Sequence, residues 1–392
     1  MSASGGGIWA KMKDGFRTHS EARLFDARGE VAFAPAYGGV LAERPTATAL
    51  AGAFGGPFRI GGAGMLQAGV GAFETLTSGS SGQPRRILRT CASWGASFAM
   101  NAELFGIGPG VRVAVLGRLV HSLALYGAVE GLCLGADVHL LDDLRPDRQR
   151  AALAARGIEV LYATPAQLRL MVEAGGAILP LGRVLVGGSK LDGGLRAALA
   201  EMAPDAIVHE FYGAAEASFI TLSGPDCPAG SVGRPYPGVK IALEAGEIWV
   251  RSPYLFQDYA GDDPGGARWR DGWVSVGEMG RMEGGFLYLQ GRASRMVTVA
   301  DQNVFPEEIE TFLMGLPGVA RAAVLPRPDG LRGVHLVAVV MGTGETEAVL
   351  AAGRAAFGPL KAPRAVHWMR DWPMLPSGKT DLAALERVMG WR

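Results

Sequence analysis

From about residue 92 the chain alternates apolar runs with helix-like stretches, and turn residues separate them. VRVAVLG (111–117) is a β-rich apolar run; the stretch 121–134 that follows reads as a helix and leads into ADVHLL. IEVLYAT (158–164), VLVGG (184–188) and AIVHEFYG (206–213) repeat the theme, each apolar and each ending in small or polar residues. Near-continuous apolar strands separated by helices predict a parallel sheet covered by helices, and the ligands of such sheets sit beyond the carboxyl ends of the strands. The expected fold class is α/β, with a large N-terminal domain of mainly parallel sheets flanked by helices.

The pattern changes at 228–290, where SVGRPYPGVKIAL, GEIWVRS and GFLYLQG are short strands with tight turns, the mark of a small antiparallel β subdomain. Beyond Arg292 it changes again. Pro306, Glu307 and Glu308 open a helix, with acidic residues where a helix N-terminus favours them. Strands near 319–325 and 334–341 and an Ala-rich helix near 346–357 complete a C-terminal α+β unit. The expected domains are therefore 1–292, containing the β-rich 228–290, and 293–392. No internal repeat is visible.

Composition narrows the classes. Hydrophobic residues make up 48% and charged residues 19%, which suits a globular chain and excludes global disorder. With 38 basic and 38 acidic residues the formal net charge is zero, so neither nucleic acid nor an anionic membrane is expected as a general partner. Any grip on phosphate must be local. Cys91, Cys133 and Cys227 form no CxxC pair, which argues against a zinc site and a disulfide framework and for a reducing, cytoplasmic setting. The start, MSASGGGIWAKMKDG, lacks the apolar core of a signal peptide, and no run approaches 18 uncharged apolar residues, so membrane insertion is not expected. The nearest such run, HSLALYGAVEGLCLGADVHLL, contains Glu130 and Asp137 and reads as a buried helix leading into a strand.

Two stretches carry candidate chemistry. TLTSGSSGQPRR (75–86) concentrates hydroxyls and glycines ahead of a proline and two arginines. Glycine lets backbone N–H groups approach a ligand, and hydroxyls and guanidinium groups add donors, so the stretch suits a polyanion. The same composition also describes a flexible surface loop. LPSGKTD (375–381) ends like a P-loop, but Pro373 stands where that motif needs glycine, and no strand immediately precedes it. Lys379 nevertheless sits on a glycine-bearing loop, from which a mobile lysine could be delivered to a site elsewhere.

In order along the chain, TSGSSGQPR (77–85), FYGAAE (211–216), DGWVSVGEMGRMEGGFLYLQGR (271–292), NVFPEEIE (303–310) and LPSGKTD resemble the signature motifs of the adenylate-forming enzymes. That superfamily includes acyl-CoA synthetases, adenylation domains of nonribosomal peptide synthetases and firefly luciferase. LVH (119–121), GGSKL (187–191), SVGRPYPGV (231–239) and GEIWVRSPYLFQDY (246–259) are weaker matches between them, and the resemblance covers roughly 75–392. A single glycine-rich motif is weak; an ordered series is strong.

The resemblance implies a reaction in which a carboxylate attacks the α-phosphorus of ATP, releasing pyrophosphate and leaving an acyl-AMP, with positioning and charge neutralisation as the main tasks of the protein. It implies a triphosphate grip from Thr77, Ser78, Gly79, Ser80, Ser81 and Gly82, with Arg85 where the family usually has lysine. Tyr212 would stack on adenine beside Gly213 and Ala215, with Gly188 and Ser189 also at the nucleotide. Glu216 would be both a catalytic residue and the Mg²⁺ ligand. Glu278 and Arg292 would hold the ribose, His121 would be a catalytic residue beside the acyl pocket, and Lys379 would be the catalytic lysine, carried on 293–392 as a small mobile lid. Residues near Tyr162 to Gln167 and Gly187 to Lys190 would complete that pocket.

Several positions depart from the family's pattern. Ala215 replaces a threonine, Glu278 an aspartate, and Ser294 stands at the hinge where Asp or Lys is more usual. Asp301 replaces a glycine of the loop that lines the pantetheine tunnel, where a carboxylate could crowd or repel an incoming thiol. The phosphate motif also begins early, so much of the first subdomain is expected to be missing or minimal, with a partner chain or a dimer contact in its place. The implied activity is an acyl-CoA ligase using ATP, Mg²⁺, CoA and a small carboxylic acid. The alternatives are transfer to the phosphopantetheine of an acyl or peptidyl carrier protein, and a degenerate member that binds nucleotide without turnover.

Overall fold

The computed structural model describes residues 10–77, 84–261, 265–299, 302–330, 333–375 and 379–391. Two compact units share the chain: Met1–Leu191, Leu195–Ile241 and Val250–Val276 form the first, and Asp192–Gly194, Ala242–Trp249 and Gly277–Arg392 the second.

In the first unit a nine-stranded sheet has the spatial order Arg234–Pro235, Ser218–Leu222, Ile207–Ala214, Arg183–Val186, Val160–Ala163, Arg112–Val115, Asp137–Leu140, Arg23–Phe25 and Glu30–Val31. From Ile207–Ala214 to Arg23–Phe25 neighbouring strands run parallel, and the outer pairs are antiparallel. The mainly parallel α/β sheet expected from the apolar runs is thus present. It extends further than the periodicity reached, because Arg23–Phe25 is a three-residue strand, too short to show a repeat.

A second sheet of this unit runs Asp258–Ala260, Arg86–Thr90, Ala72–Leu76, Phe58–Ile60 and Gly39–Leu41. Two pieces of the 228–290 stretch, Arg234–Pro235 and Asp258–Ala260, therefore pair into sheets of the larger unit. An aromatic core lies against the second sheet: Phe58 and Phe73 stack at 5.3 Å, and Phe73 meets Trp94 edge-on at 4.6 Å.

Helix Cys91–Phe105 starts at Thr90, whose hydroxyl accepts from the Ser93 N–H, and stops at Gly106 in the left-handed region. Helix Ser122–Leu134 is buried at every position from Ala124 onward, as its all-round apolar sequence demands. Its Glu130 is the exception, and it recurs below.

The second unit contains an antiparallel pair, Val319–Asp329 with Gly333–Gly342, extended in parallel by Ala365–Trp368. Alternation along the strands feeds two clusters. Ala322, Val324, Leu336, Ala338 and Val340 pack with Ile309 and Leu313 of helix Pro306–Met314, whereas Ala323, Leu325 and Val339 meet Leu385 of helix Leu382–Val388. The α+β character read from 306–357 is present. Among the described residues no helix is long and apolar enough to cross a membrane.

Candidate active site

The serine- and glycine-rich stretch joins two antiparallel strands, Ala72–Leu76 and Arg86–Thr90, with Leu76 in register with Arg86. Its two ends are tied together. The Thr77 N–H donates to the Arg85 carbonyl at 2.9 Å, and the Arg85 N–H donates to Thr77 Oγ1 at 2.9 Å. Ser78, Gly79, Ser80, Ser81 and Gly82 lie outside the described residues. Leu76, at the entry to this hairpin, makes a backbone bridge to His121, and Ser122 Oγ donates to its carbonyl at 3.4 Å. The structure therefore brings His121 to the start of the predicted phosphate loop. Burial, helped by the charge of Arg118, lowers the His121 pKa and favours the neutral imidazole.

FYGAAE occupies the end of strand Ile207–Ala214 and the turn into Ser218–Leu222. The register shifts between Tyr212 and Gly213, and a Cβ on Gly213 would fall 2.0 Å from the Ser218 carbonyl oxygen, so glycine is required there by close approach. Tyr212 is in register with Thr221. This bulged hairpin is where the structure departs from the simple parallel strand read at 206–213.

Glu216 follows the turn and is held from several directions. Its carbonyl accepts from the Phe256 N–H at 2.7 Å, and its Oε1 accepts from the Tyr259 hydroxyl at 2.7 Å. The Tyr259 oxygen in turn accepts from the Ala267 N–H at 3.2 Å, and the Arg85 guanidinium lies 5.9 Å from the centre of the Tyr259 ring. Thr77, Arg85 and Glu216 are thereby linked through one neighbourhood. Arg89 lies beneath it, 1% exposed, donating from Nη1 to the Ala215 carbonyl at 2.5 Å and from Nη2 to the Tyr254 carbonyl. Burial lowers the Arg89 pKa to about 10, with the Glu216 charge opposing, so the guanidinium stays charged near neutrality. Burial and then the Glu216 charge push the Tyr259 phenol up to about 12.

Gly188 and Ser189 follow strand Arg183–Val186, with Gly188 at φ +93°. A Cβ on the preceding Gly187 would meet the Phe211 ring at 2.3 Å, and Lys190 Nζ donates to the Gly230 carbonyl at 3.1 Å. Thr164 and Gln167 form a reciprocal capping box at the head of helix Pro165–Glu173. Tyr162, also expected near the pocket, is tied into a fully buried polar network. Glu130 Oε1 accepts from Asn101 Nδ2 at 2.8 Å and from the Tyr126 hydroxyl at 3.1 Å, and Glu130 Oε2 accepts from the Tyr162 hydroxyl. Tyr236 donates to Asn101 Oδ1 at 2.6 Å. Burial outweighs these bonds and raises the Glu130 pKa to about 7.

The second unit holds the remaining expected residues. Glu278 and Arg292 are cross-strand partners with Arg292 Nε 3.6 Å from Glu278 Oε1, and the Arg292 N–H donates to Glu307 Oε1 at 3.4 Å. Ser294 lies in the short 3₁₀ turn Ala293–Arg295, and Arg295 pairs with Glu310 at 2.7 Å. Lys379 is in a closed loop: its carbonyl accepts from the Leu375 N–H at 2.8 Å, Met374 bridges Thr380, and Trp372 Nε1 donates to Thr380 Oγ1 at 3.0 Å. Asp301 lies outside the described residues.

Among the described residues no three His, Cys, Asp or Glu side chains gather as a metal cage. A lone half-buried carboxylate such as Glu216 suits a hard cation that arrives with phosphate oxygens and water as its other ligands.

Tyr259 and Arg89 were not expected from the sequence. Tyr259 is the last residue of the weakly matching GEIWVRSPYLFQDY, and Arg89 shares a strand face with the buried Ile87. A charged residue at an inward position of a strand is the signal that could have found it.

Comparison with known proteins agrees with this architecture. The AMP-binding enzyme family model matches residues 68–260, and the model of the AMP-binding enzyme C-terminal domain matches 308–379. Over 332 residues the chain is 33% identical to the uncharacterized acyl–CoA ligase YhfT of Bacillus subtilis (strain 168), spanning 81% of this chain and 67% of that protein. It is 29% identical to the 3-hydroxybenzoate–CoA ligase of Aromatoleum sp. (strain CIB), over 81% of this chain and 66% of the other. In fold it is similar to the amide bond synthetase McbA from Marinactinospora thermotolerans, with TM-score 0.78, 23% identity and coverage of 98% and 99% of the two chains. O-succinylbenzoate CoA synthetase from Bacillus subtilis has a TM-score of 0.71 at 22% identity, covering 80% of this chain and 68% of that one. Fold and relatives together define an AMP-forming ligase. The chain belongs to the AMP-binding enzyme family, within the adenylate-forming superfamily that its motifs resemble.

Proposed function

We propose that this protein activates a small carboxylic acid with ATP and passes the acyl group to the thiol of CoA. A carboxylate oxygen attacks the α-phosphorus, the bond to the bridging oxygen breaks, and pyrophosphate leaves with the electron pair. The CoA thiolate then attacks the acyl carbonyl, and AMP departs as the C–O bond breaks. The observation that carries this reading is the convergence of the Thr77–Arg85 hairpin, His121 and the Glu216 turn in the first unit.

The hairpin donors and Arg85 are assigned to the β- and γ-phosphates, which become the leaving group. Tyr212, Gly213, Ala215, Gly188 and Ser189 are assigned to the nucleotide, with Glu278 and Arg292 at the ribose. Glu216 would hold Mg²⁺, which neutralises phosphate charge when bound. Lys379 would offset the charge that builds on the α-phosphate oxygens, and 293–392 would act as its lid. His121, kept neutral, would border the acid without placing a second cation beside the carboxylate.

Acid-dependent exchange of labelled pyrophosphate into ATP, over a panel of aliphatic, aromatic and amino acids, tests the first half-reaction. Exchange with at least one acid is expected. Binding of ATP with no exchange for any acid would favour a nucleotide-binding protein without turnover. Thioester formation with CoA against a carrier protein bearing phosphopantetheine tests the acceptor, and indifference to CoA would replace CoA with the carrier.

A further inference from the structure

We propose that Tyr259 is a positioning residue that fixes both the Glu216 carboxylate and the Arg85 guanidinium for Mg·ATP, resting on the roles proposed above for those two groups. The argument begins with register. Strand Asp258–Ala260 pairs antiparallel with Arg86–Thr90, the strand that leaves the serine- and glycine-rich hairpin, and Tyr259 stands opposite Ile87. Arg85 directly precedes that strand, two residues before Ile87, and its guanidinium lies 5.9 Å from the centre of the Tyr259 ring. Packing steadies the ring: Phe256 lies edge-on against it at 5.1 Å, and both pack with Ile87 and Val274.

The hydroxyl is equally constrained. A phenol has one proton to donate, and the Ala267 N–H already points at its oxygen, so that proton is directed to Glu216 Oε1. A carboxylate tied at one oxygen has lost rotation about its last bond before any cation arrives, which is how groups behind a metal ligand raise affinity. The ring face supplies a cation–π contact to the arginine at the hairpin's exit. One side chain thus orders a metal carboxylate and a phosphate guanidinium drawn from parts of the chain more than a hundred residues apart.

The test uses the full chain carrying Tyr259→Phe, Tyr259→Leu, Glu216→Gln or Glu216→Asp. Mn²⁺ binding in the presence of ATP is followed by EPR, ATP binding in EDTA by calorimetry, and integrity by thermal unfolding. Tyr259→Phe should weaken Mn²⁺ binding about tenfold and leave metal-free ATP binding unchanged, whereas Tyr259→Leu should weaken both. Adding Tyr259→Phe to Glu216→Gln should produce no further loss. Glu216→Asp keeps the charge but withdraws it from both the metal and the phenol, so it should weaken Mn²⁺ about tenfold, and adding Tyr259→Phe to it should cost nothing more. Mn²⁺ affinity within twofold of the parent in Tyr259→Phe, while Glu216→Gln is weakened, overturns the inference alone. An unchanged affinity in Glu216→Gln overturns instead the assignment of Glu216 to the metal.

Discussion

Arg89 donates from Nη1 to the carbonyl oxygen of Ala215 at 2.5 Å, joining residues 126 positions apart in the chain. Its other terminal nitrogen takes the Tyr254 carbonyl, so one buried guanidinium ties both segments that flank Glu216 and Tyr259. Arg89→Met keeps most of the volume but leaves two carbonyls without their charged donor. We expect a loss of about 3 kcal/mol in stability, since bonds to charged groups contribute about 1.5 to 3 kcal/mol each and buried orphans are costly. Urea unfolding measures it, and pyrophosphate exchange should fall further than the loss of folded protein explains.

Lys379→Ala should reduce adenylation at least a hundredfold while leaving ATP affinity within about twofold, because a charge acting at the reacting centre contributes mainly in the transition state. The loop itself should survive, since the carbonyl of residue 379 and the Trp372–Thr380 bond hold it and neither needs the lysine side chain. Full exchange activity in this variant would remove Lys379 from the chemistry.

His121 sits next to Leu76, at the mouth of the hairpin, and is held neutral. His121→Ala should raise the KM of the acid severalfold with the KM of ATP nearly unchanged. Because its folded pKa lies below the ordinary value of 6.5, the group's contribution to stability is present above that value and lost as the pH falls through the folded pKa. KM for the acid should therefore be flat from pH 7 to 8; a titration in that window would mean the imidazole carries a proton in the folded enzyme.

Glu130 shows the opposite sign. Its folded pKa is raised from 4.5 to about 7, so its favourable protonated state is fully present below pH 4.5 and is lost as the pH rises through 7. The groups facing it are Asn101, Tyr126, Tyr162, Tyr236 and Cys133, none of them a cation. Glu130→Gln should make the decline in stability between pH 5 and pH 8 shallower by something on the order of 3 kcal/mol. Denaturation curves at the two pH values decide it; an unchanged slope would mean that the carboxyl ionises as freely as in water.

The parallel strands were legible because each is an apolar run closed by small residues, and Val113, Leu161 and Val184 are all fully buried in adjacent strands. The family was legible in the type and order of the motifs. What escaped notice depends on pairing between distant segments. Nothing local marks Tyr259 as the partner of Glu216 until strand Asp258–Ala260 is laid against Arg86–Thr90. Glu130 was visible as a charge within an apolar helix, but its three hydroxyl and amide donors come from two helices and a strand, so the network exists only in the fold.

The tie between Thr77 and Arg85 also bears on how such loops diversify. At the foot of the paired strands Thr77 and Arg85 exchange two hydrogen bonds of 2.9 Å, one of them to the Thr77 side chain. A hairpin foot closed largely by backbone groups makes few demands on side-chain identity. Strand register and loop chemistry are then set by different residues and can change at separate rates.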